Sequence, residues 1–244
     1  LHTFIILWAT QGFSALGSSM TSYALVIWAY QQEGSALASS LLTVCSYAPY
    51  VLLSIFAGAL SDRWNKKRTM LVCDSFAALC TLSVLVLLVT GRLELWHLYV
   101  LNALNGLGNT LQQPASDVAV SLLTPREQYQ KAAGMRAFSN SLVTILSPVF
   151  ATALLSAFGI YTVIAFDLLT FTAAFLSLAF FVKLPEQDLS KRNTEQASVL
   201  QTAGQGLRYL RENRGILDLI LFLACINLVA SVYNAALPAM LLSR

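Results

Sequence analysis

Long apolar runs separated by short polar turns follow one another along most of the chain. They cover about residues 1–30, 37–60, 69–89, 98–122, 132–157, 160–182 and 215–241. Each run is as long as the roughly 20 residues that a helix needs to cross a bilayer, or longer. The pattern therefore predicts an all-α, polytopic helical membrane protein with seven spans.

A polar stretch divides the predicted spans into two groups. We expect a six-span bundle over residues 1–182, a linker over 183–214 and a seventh span within 215–244. The linker carries Leu200, Ala203, Leu207 and Leu210 at helical spacing, which predicts an amphipathic helix lying along the membrane surface. The chain begins inside one apolar run without Met and ends directly after another, so we expect it to be part of a longer protein.

The composition agrees with a membrane protein and gives no indication of an enzyme. The chain is 57% hydrophobic and 11% charged, whereas soluble domains average about 25% charged residues. All four cysteines fall inside apolar runs and form no CxxC pair, so we interpret them as small buried residues. No phosphate loop, nucleophile triad or metal-ligand spacing is present in the sequence. We therefore expect no cofactor and no metal, and a net charge of +3 gives no reason to expect nucleic acid as a partner.

The basic residues predict the orientation. Four lie in the turn after the second span, three near the turn after the fourth and six after the sixth, whereas the turns on the other side offer only Arg92 and Arg244. Because cytoplasmic loops carry the excess of Lys and Arg, we expect these three connections and the N-terminus to face the cytoplasm.

Few ionisable residues lie within the predicted spans, and such residues are usually functional. Asp167 falls near the middle of the sixth span and is our candidate for binding a proton or a cationic substrate; the alternative is a structural role in hydrogen bonds to neighbouring helices. Asp74 and Asp117 lie near the cytoplasmic ends of spans three and four. We expect them to pair with the basic turn as a latch, which Arg136 could join.

The fourth span carries a stripe of amide side chains. At helical spacing, one broad face holds Asn102, Asn105, Asn109, Gln112 and Gln113. Lipid does not tolerate such a face, so it must contact other helices or line a water-filled cavity. Both interpretations remain open. Gln11 in the first span and Arg136 and Asn140 in the fifth are further candidates for a substrate or proton path.

The turn between spans two and three reads GALSDRWNKKR. It resembles the signature loop of the major facilitator superfamily, G-x-x-x-D-R-x-G-R-R/K, with Gly58, Asp62 and Arg63, then Asn65 where the family usually has Gly. Lys66 and Lys67 complete the motif, and Arg68 follows. We expect the change to Asn to be mild because Asn tolerates left-handed turns. The resemblance implies a cytoplasmic gate in which Asp117 pairs with Lys66.

Other stretches resemble one branch of that superfamily, the macrolide-efflux-like drug:proton antiporters. These are FIILWATQGFSALGSSMTSYAL, DRWNKKRTMLVCD and GLRYLRENRGIL. There are departures: Asn102 stands where the superfamily often has an Arg linked to proton coupling, and Val143 and Ser147 replace glycines of the antiporter pattern. The resemblance implies half of a twelve-span, monomeric exporter with a central cavity lined by spans one, four, five and seven.

Two rival hypotheses remain. The same fold could move an endogenous metabolite or siderophore, or work as an importer. Alternatively, the chain could be a half-length membrane partner that does not transport.

Overall fold

The computed structural model describes residues 2–34, 36–182, 204 and 208–226. The first compact unit, Leu1–Thr194, holds six long helices: α1 (His2–Glu33), α2 (Ala36–Arg63), α3 (Lys66–Val89), α4 (Leu95–Leu123), α5 (Tyr129–Phe158) and α6 (Ile160–Leu176). A short 3₁₀ helix, Arg126–Gln128, precedes α5, and a π-helical turn, Ser177–Phe181, continues α6. The predicted spans one to six therefore each correspond to one helix, with ends that differ by a few residues.

Three of the described helical stretches are long and apolar enough to cross a membrane. They are Lys66–Val89, Arg126–Phe158 and Ile160–Phe181, with mean hydropathies of 2.3, 1.9 and 2.0. The part of α2 that the structure describes without interruption, Leu41–Ser54, is also apolar. α1 and α4 instead carry serine and amide side chains that line a cavity inside the bundle.

The second compact unit is Glu195–Arg244. Within it, residues 208–212 and 214–226 are helical, and Arg208 Nε donates to Glu212 Oε1 at 2.8 Å, one helical turn away. Most of the predicted amphipathic linker and the second half of the predicted seventh span lie outside the described residues.

α1 is the central helix of the first unit, because it contributes to all three clusters of buried apolar side chains. One cluster packs Leu7 of α1 against Met70 of α3 and Leu178 of the π-helical turn. A second joins Leu25 and Ala29 to α2, α3, α4 and α6, and the third joins Met20 and Ala24 to α5 and α6. The many alanines in these clusters let helices approach closely, as is usual in membrane bundles.

Glycines mark the closest approaches between helices. A methyl group at Gly12 of α1 would lie 2.8 Å from Ser139 Oγ of α5. One at Gly106 of α4 would collide with the main-chain oxygen of Ser46 in α2, one turn before Pro49. Side chains at these two positions would push the helices apart.

The two ends of the bundle are built differently. At one end, which we call the glycine end, the connections between α1 and α2, α3 and α4, and α5 and α6 contain Gly34, Gly91 and Gly159, all at positive φ. Glycine adopts this backbone region without steric cost, which makes it common where a helix ends. The opposite end, the basic end, holds the charged turn between α2 and α3 and the 3₁₀ helix before α5.

Asn65 starts α3 at the basic end. Its backbone is extended (φ −65°, ψ 115°), and its side chain accepts a hydrogen bond from the main-chain nitrogen of Arg68 at 3.2 Å. The backbone at this position is therefore not left-handed, and a tolerance of left-handed turns is not what Asn contributes here. Asn replaces the family's usual Gly here as a helix cap, a role in which its short polar side chain is strongly favoured.

Candidate functional site: a polar cavity inside the bundle

The first unit contains a partly open cavity of about 440 Å³, and all six helices contribute residues to its lining. Its lining brings together eight of the nine residues singled out in the sequence as candidates for binding a substrate or proton: Gln11, Asn105, Asn109, Gln112, Gln113, Arg136, Asn140 and Asp167. The amide stripe of the fourth span thus faces a cavity over most of its length. Helices α2, α3 and α6 also line the cavity, whereas the resemblance implied a cavity lined by spans one, four, five and seven.

Asn102 is the exception among these candidates. Its side-chain nitrogen donates to the main-chain oxygen of Leu98 at 2.9 Å. It lines a separate pocket of about 90 Å³ between α1, α2 and α4, nearer the glycine end.

Asp167 of α6 is held by hydroxyl groups. Its side chain is buried, with 3% exposure. Ser18 Oγ of α1 donates to Oδ1 at 2.9 Å, and Thr81 Oγ1 of α3 donates to Oδ2 at 3.4 Å. A methyl group at Gly17 would lie 3.0 Å from the Asp167 Cα and would also collide with Thr170 Oγ1. Gly17 therefore lets α6 bring this carboxylate against α1.

Asp74 of α3 is held by amide groups in the same cavity. Gln112 Nε2 of α4 donates to Oδ1 at 2.6 Å, and Gln11 Nε2 of α1 donates to Oδ2 at 3.3 Å. The sequence led us to expect Asp74 in the latch at the basic turn. The contacts that the structure describes for this carboxylate are instead those of a cavity residue, because its position along α3 turns it toward α1 and α4.

The two carboxylates lie at different depths. Gln11 and Ser18 are seven residues apart on α1, and so are Asp74 and Thr81 on α3. Seven residues are two helical turns, or about 10 Å. Asp74 is therefore the carboxylate nearer the basic end, and Asp167 is about 10 Å closer to the glycine end.

Arg136 of α5 forms an ion pair with Asp117 of α4. Gln113 Nε2 also donates to Asp117 Oδ1, at 3.4 Å. Lys66, the partner that the resemblance implies for Asp117, is buried and donates from Nζ to the main-chain oxygen of Trp64 at 3.1 Å. Arg136 thus supplies the described ion pair of Asp117 and links the latch residues to the cavity lining.

The charged turn contacts the end of α6 through Lys67. Its Nζ donates to the main-chain oxygens of Ala179 at 2.9 Å and Val182 at 2.7 Å. Arg68 is exposed, and Gly58 has open space around it. The side chains of Asp62 and Arg63 lie outside the described part of the chain.

Serine and threonine residues are the part of the site that the sequence did not single out. Ser14, Ser18, Ser19 and Ser22 of α1, Thr81 of α3 and Ser139 of α5 all line the cavity. On α1, serines 14, 18 and 22 recur every four residues, a spacing that places them on one helical face. That periodicity was the signal available in the sequence.

Comparison with known proteins identifies the family. The family model described as Major Facilitator Superfamily matches residues 7–244. The chain belongs to the major facilitator superfamily. Its helical bundle and its charged turn between the second and third helices agree with that membership.

Several curated bacterial proteins are similar to the chain. Macrolide efflux protein A of Streptococcus pyogenes is 26% identical over 96% of this chain, and that of Enterococcus faecalis is 25% identical over 84%. An uncharacterized MFS-type transporter of Bacillus subtilis, YfiS, is 30% identical over 83%. The matches cover 58%, 62% and 48% of these relatives, so the chain spans about half to three fifths of their length.

Proposed function

We propose that this chain is the N-terminal part of a secondary active transporter in a bacterial cytoplasmic membrane, and that it is not an enzyme. The complete protein exports lipophilic or cationic small molecules by alternating access. The observation that carries the proposal is a cavity inside a bundle of this superfamily, lined by amides, hydroxyls and two buried carboxylates. Relatives named for macrolide efflux support a macrolide-like cargo.

The proposed driving force is proton antiport through Asp167. This carboxylate is buried, so a proton would neutralise it at low energetic cost. Its partners Ser18 and Thr81 are hydroxyls, which can either donate or accept a hydrogen bond. They can therefore accompany both the protonated and the ionised acid.

The proposed orientation places the N-terminus and the basic end in the cytoplasm. There the charged turn, with Asp62, Arg63, Lys66 and Asp117, acts as a gate that holds the outward-open state. Breaking this gate favours the inward-open state. Asp62→Asn should therefore alter transport, whereas Glu127→Gln, an exposed acid at the same end, should not. Unchanged transport by Asp62→Asn would contradict the gate.

The proposed domain organisation is a six-span bundle over 1–182, a linker over 183–214 and a seventh span that begins a second half. The proposed complete protein works as a monomer in the lipid bilayer, with a small-molecule substrate and protons as its partners. A metabolite or siderophore as cargo remains the alternative on the same fold, and competition between substrates distinguishes the two.

The deciding experiment measures accumulation of a labelled macrolide and of a cationic dye in bacteria that express the complete reading frame. We expect low accumulation that a protonophore restores to the level of control cells. Accumulation equal to that of control cells for every tested compound, with or without the protonophore, would contradict drug export.

A further inference from the structure

We propose that Asp74, together with Gln11 and Gln112, binds the ammonium group of an amphiphilic amine. This inference rests on the proposed export function and assigns the substrate and the proton to different carboxylates. Asp74 recognises the charged group of the cargo, whereas Asp167 carries the coupling proton.

The first argument is the chemistry of the hydrogen-bond partners. Asp74 accepts from two amide NH₂ groups, which donate and cannot accept. The O–H of a protonated Asp74 would find an acceptor there only if one of the two glutamines turned its amide over to present Oε1. Asp167 accepts from two hydroxyls, which can reverse their hydrogen bonds when the acid takes up a proton. The partners therefore suit Asp74 to remain a carboxylate and Asp167 to change its protonation state.

The second argument is charge. A buried carboxylate is stable only if a cation or several hydrogen bonds compensate it. Asp74 is 7% exposed, and no described lysine or arginine forms an ion pair with it. Arg136 is the one basic residue of the described cavity lining, and it is paired with Asp117. The cavity that these residues form therefore attracts a cation.

The third argument is space for a cation beside Asp74. A carboxylate can accept about four hydrogen bonds, and the described amide donors use two of them. Ala77 and Ala78 follow Asp74 by one turn of α3 and line the same cavity. Their small side chains leave room for an ammonium group in contact with the carboxylate.

The fourth argument is the apolar wall next to this site. Trp8 lines the cavity one turn before Gln11 on α1, and the almost fully buried Phe4 and Leu7 lie beside it at the cavity edge. Trp8 is fixed by a hydrogen bond from Nε1 to the main-chain oxygen of Met135 at 2.9 Å. Aromatic faces attract cations, and apolar side chains accommodate a hydrocarbon body. A lipophilic amine satisfies both features, which a simple metal ion or a neutral sugar would not.

The test measures binding to the purified complete protein in lipid nanodiscs. The probes are radiolabelled 4-phenylbutylamine, a lipophilic amine that is protonated at neutral pH, and 4-phenylbutan-1-ol, a neutral compound of the same shape. We expect Asp74→Asn to weaken binding of the cation by about tenfold or more, because a charge-assisted interaction is lost. Binding of the neutral compound should stay within about twofold, which also shows that the variant is folded.

Two further variants complete the design. Asp167→Asn should weaken binding of the cation much less than Asp74→Asn does, since its role is assigned to the proton. Glu212→Gln, an exposed acid of the second unit that pairs with Arg208, is the matched control and should behave as the wild type.

The proposal is overturned if the wild type does not bind the cation, if Asp74→Asn binds it normally, or if both probes weaken equally. Equal weakening of cation binding in Asp74→Asn and Asp167→Asn would also overturn it. A separate transport measurement distinguishes failure of this site from failure of the proposed function. If the protein exports its substrate and Asp74→Asn binds the cation normally, only the Asp74 site is contradicted. Failure of the wild type to export any compound contradicts the proposed function.

Discussion

A hydrogen bond between Lys67 and Val182 joins the charged turn to the residue that follows the π-helical turn at the end of α6. The Lys67 ammonium donates to the Val182 main-chain oxygen at 2.7 Å, and a second hydrogen bond reaches Ala179. The last carbonyls of a helix have no partner within the helix, and a cation there also interacts favourably with the helix dipole. The sequence motif therefore has a structural role in addition to the gate that we propose for it.

Replacing Lys67 with Met should destabilise the bundle by about 2 kcal/mol, because two carbonyls lose a charged donor while the aliphatic stem is kept. Thermal unfolding of the purified protein in detergent measures the change. Lys131→Met is the control, since Lys131 is an exposed lysine at the same end. Equal melting temperatures for the two variants would show that the contacts of Lys67 do not contribute to stability.

Replacing Asp167 with Asn should abolish transport driven by a proton gradient and preserve substrate exchange without a gradient. Asn has nearly the same size and can hydrogen-bond to Ser18 and Thr81, but it cannot take up and release a proton. Proteoliposomes with and without an imposed pH gradient separate the two activities. Gradient-driven transport at the wild-type rate would exclude Asp167 as the coupling group.

Replacing Gly17 with Ala should destabilise the bundle by about 1–3 kcal/mol, the usual cost of overpacking a close contact. The added methyl group would collide with Thr170 Oγ1 and lie 3.2 Å from the Asp167 carboxylate. Gly134→Ala is the matched control, because nothing lies within 4 Å of a Cβ there. That variant should be neutral or stabilised by about 0.5–1 kcal/mol, since Ala favours helix over Gly. A similar change in both variants would contradict the close approach of α1 and α6.

Replacing Asp117 with Asn should reduce the affinity for a cationic substrate severalfold with little effect on stability. The pair with Arg136 is half-exposed, with side-chain exposures of 33% and 49% for Arg136 and Asp117. Its loss should therefore change the free energy of unfolding by less than about 1 kcal/mol. It would leave Arg136 as an uncompensated cation in the cavity, which repels a cationic substrate.

The measurement for this pair is binding of the lipophilic cation and the neutral compound described above. The charge-removing double variant Asp117→Asn/Arg136→Gln should recover the affinity for the cation. If the single variant binds the neutral compound equally poorly, repulsion by Arg136 is not the cause.

The sequence predicted the helices well because hydropathy and helical length follow from local residue order. Each of spans one to six corresponds to one helix. The amide stripe of α4 faces a cavity, which was one of its two possible interpretations; the other was contact with neighbouring helices. Asp167 could be selected because a lone acid in the middle of an apolar run is conspicuous. Its partners Ser18 and Thr81 could not, since they come from two other helices and hydroxyls are common in spans.

The contacts of Asp74 could not be predicted from the sequence. Its distance from the end of α3 gave its depth in the bundle, and it was therefore assigned to the latch. The direction in which it points depends on how α3 is rotated against α1 and α4, which no local pattern specifies. For the same reason, the sequence could not separate Asn102 from the rest of its stripe: α1 and α2 close around α4 at that level and divide the pockets.

Gly12 and Gly17 leave α1 without a side chain at its contacts with Ser139 of α5 and with the backbone of α6. A helix in contact on two sides cannot slide or turn about its own axis without driving atoms into its neighbours. We therefore expect a rearrangement of the bundle to move α1, α5 and α6 together. Spin labels at the exposed positions Phe13 and Tyr161 will then keep a constant separation, an internal ruler against which the displacement of every other helix can be read.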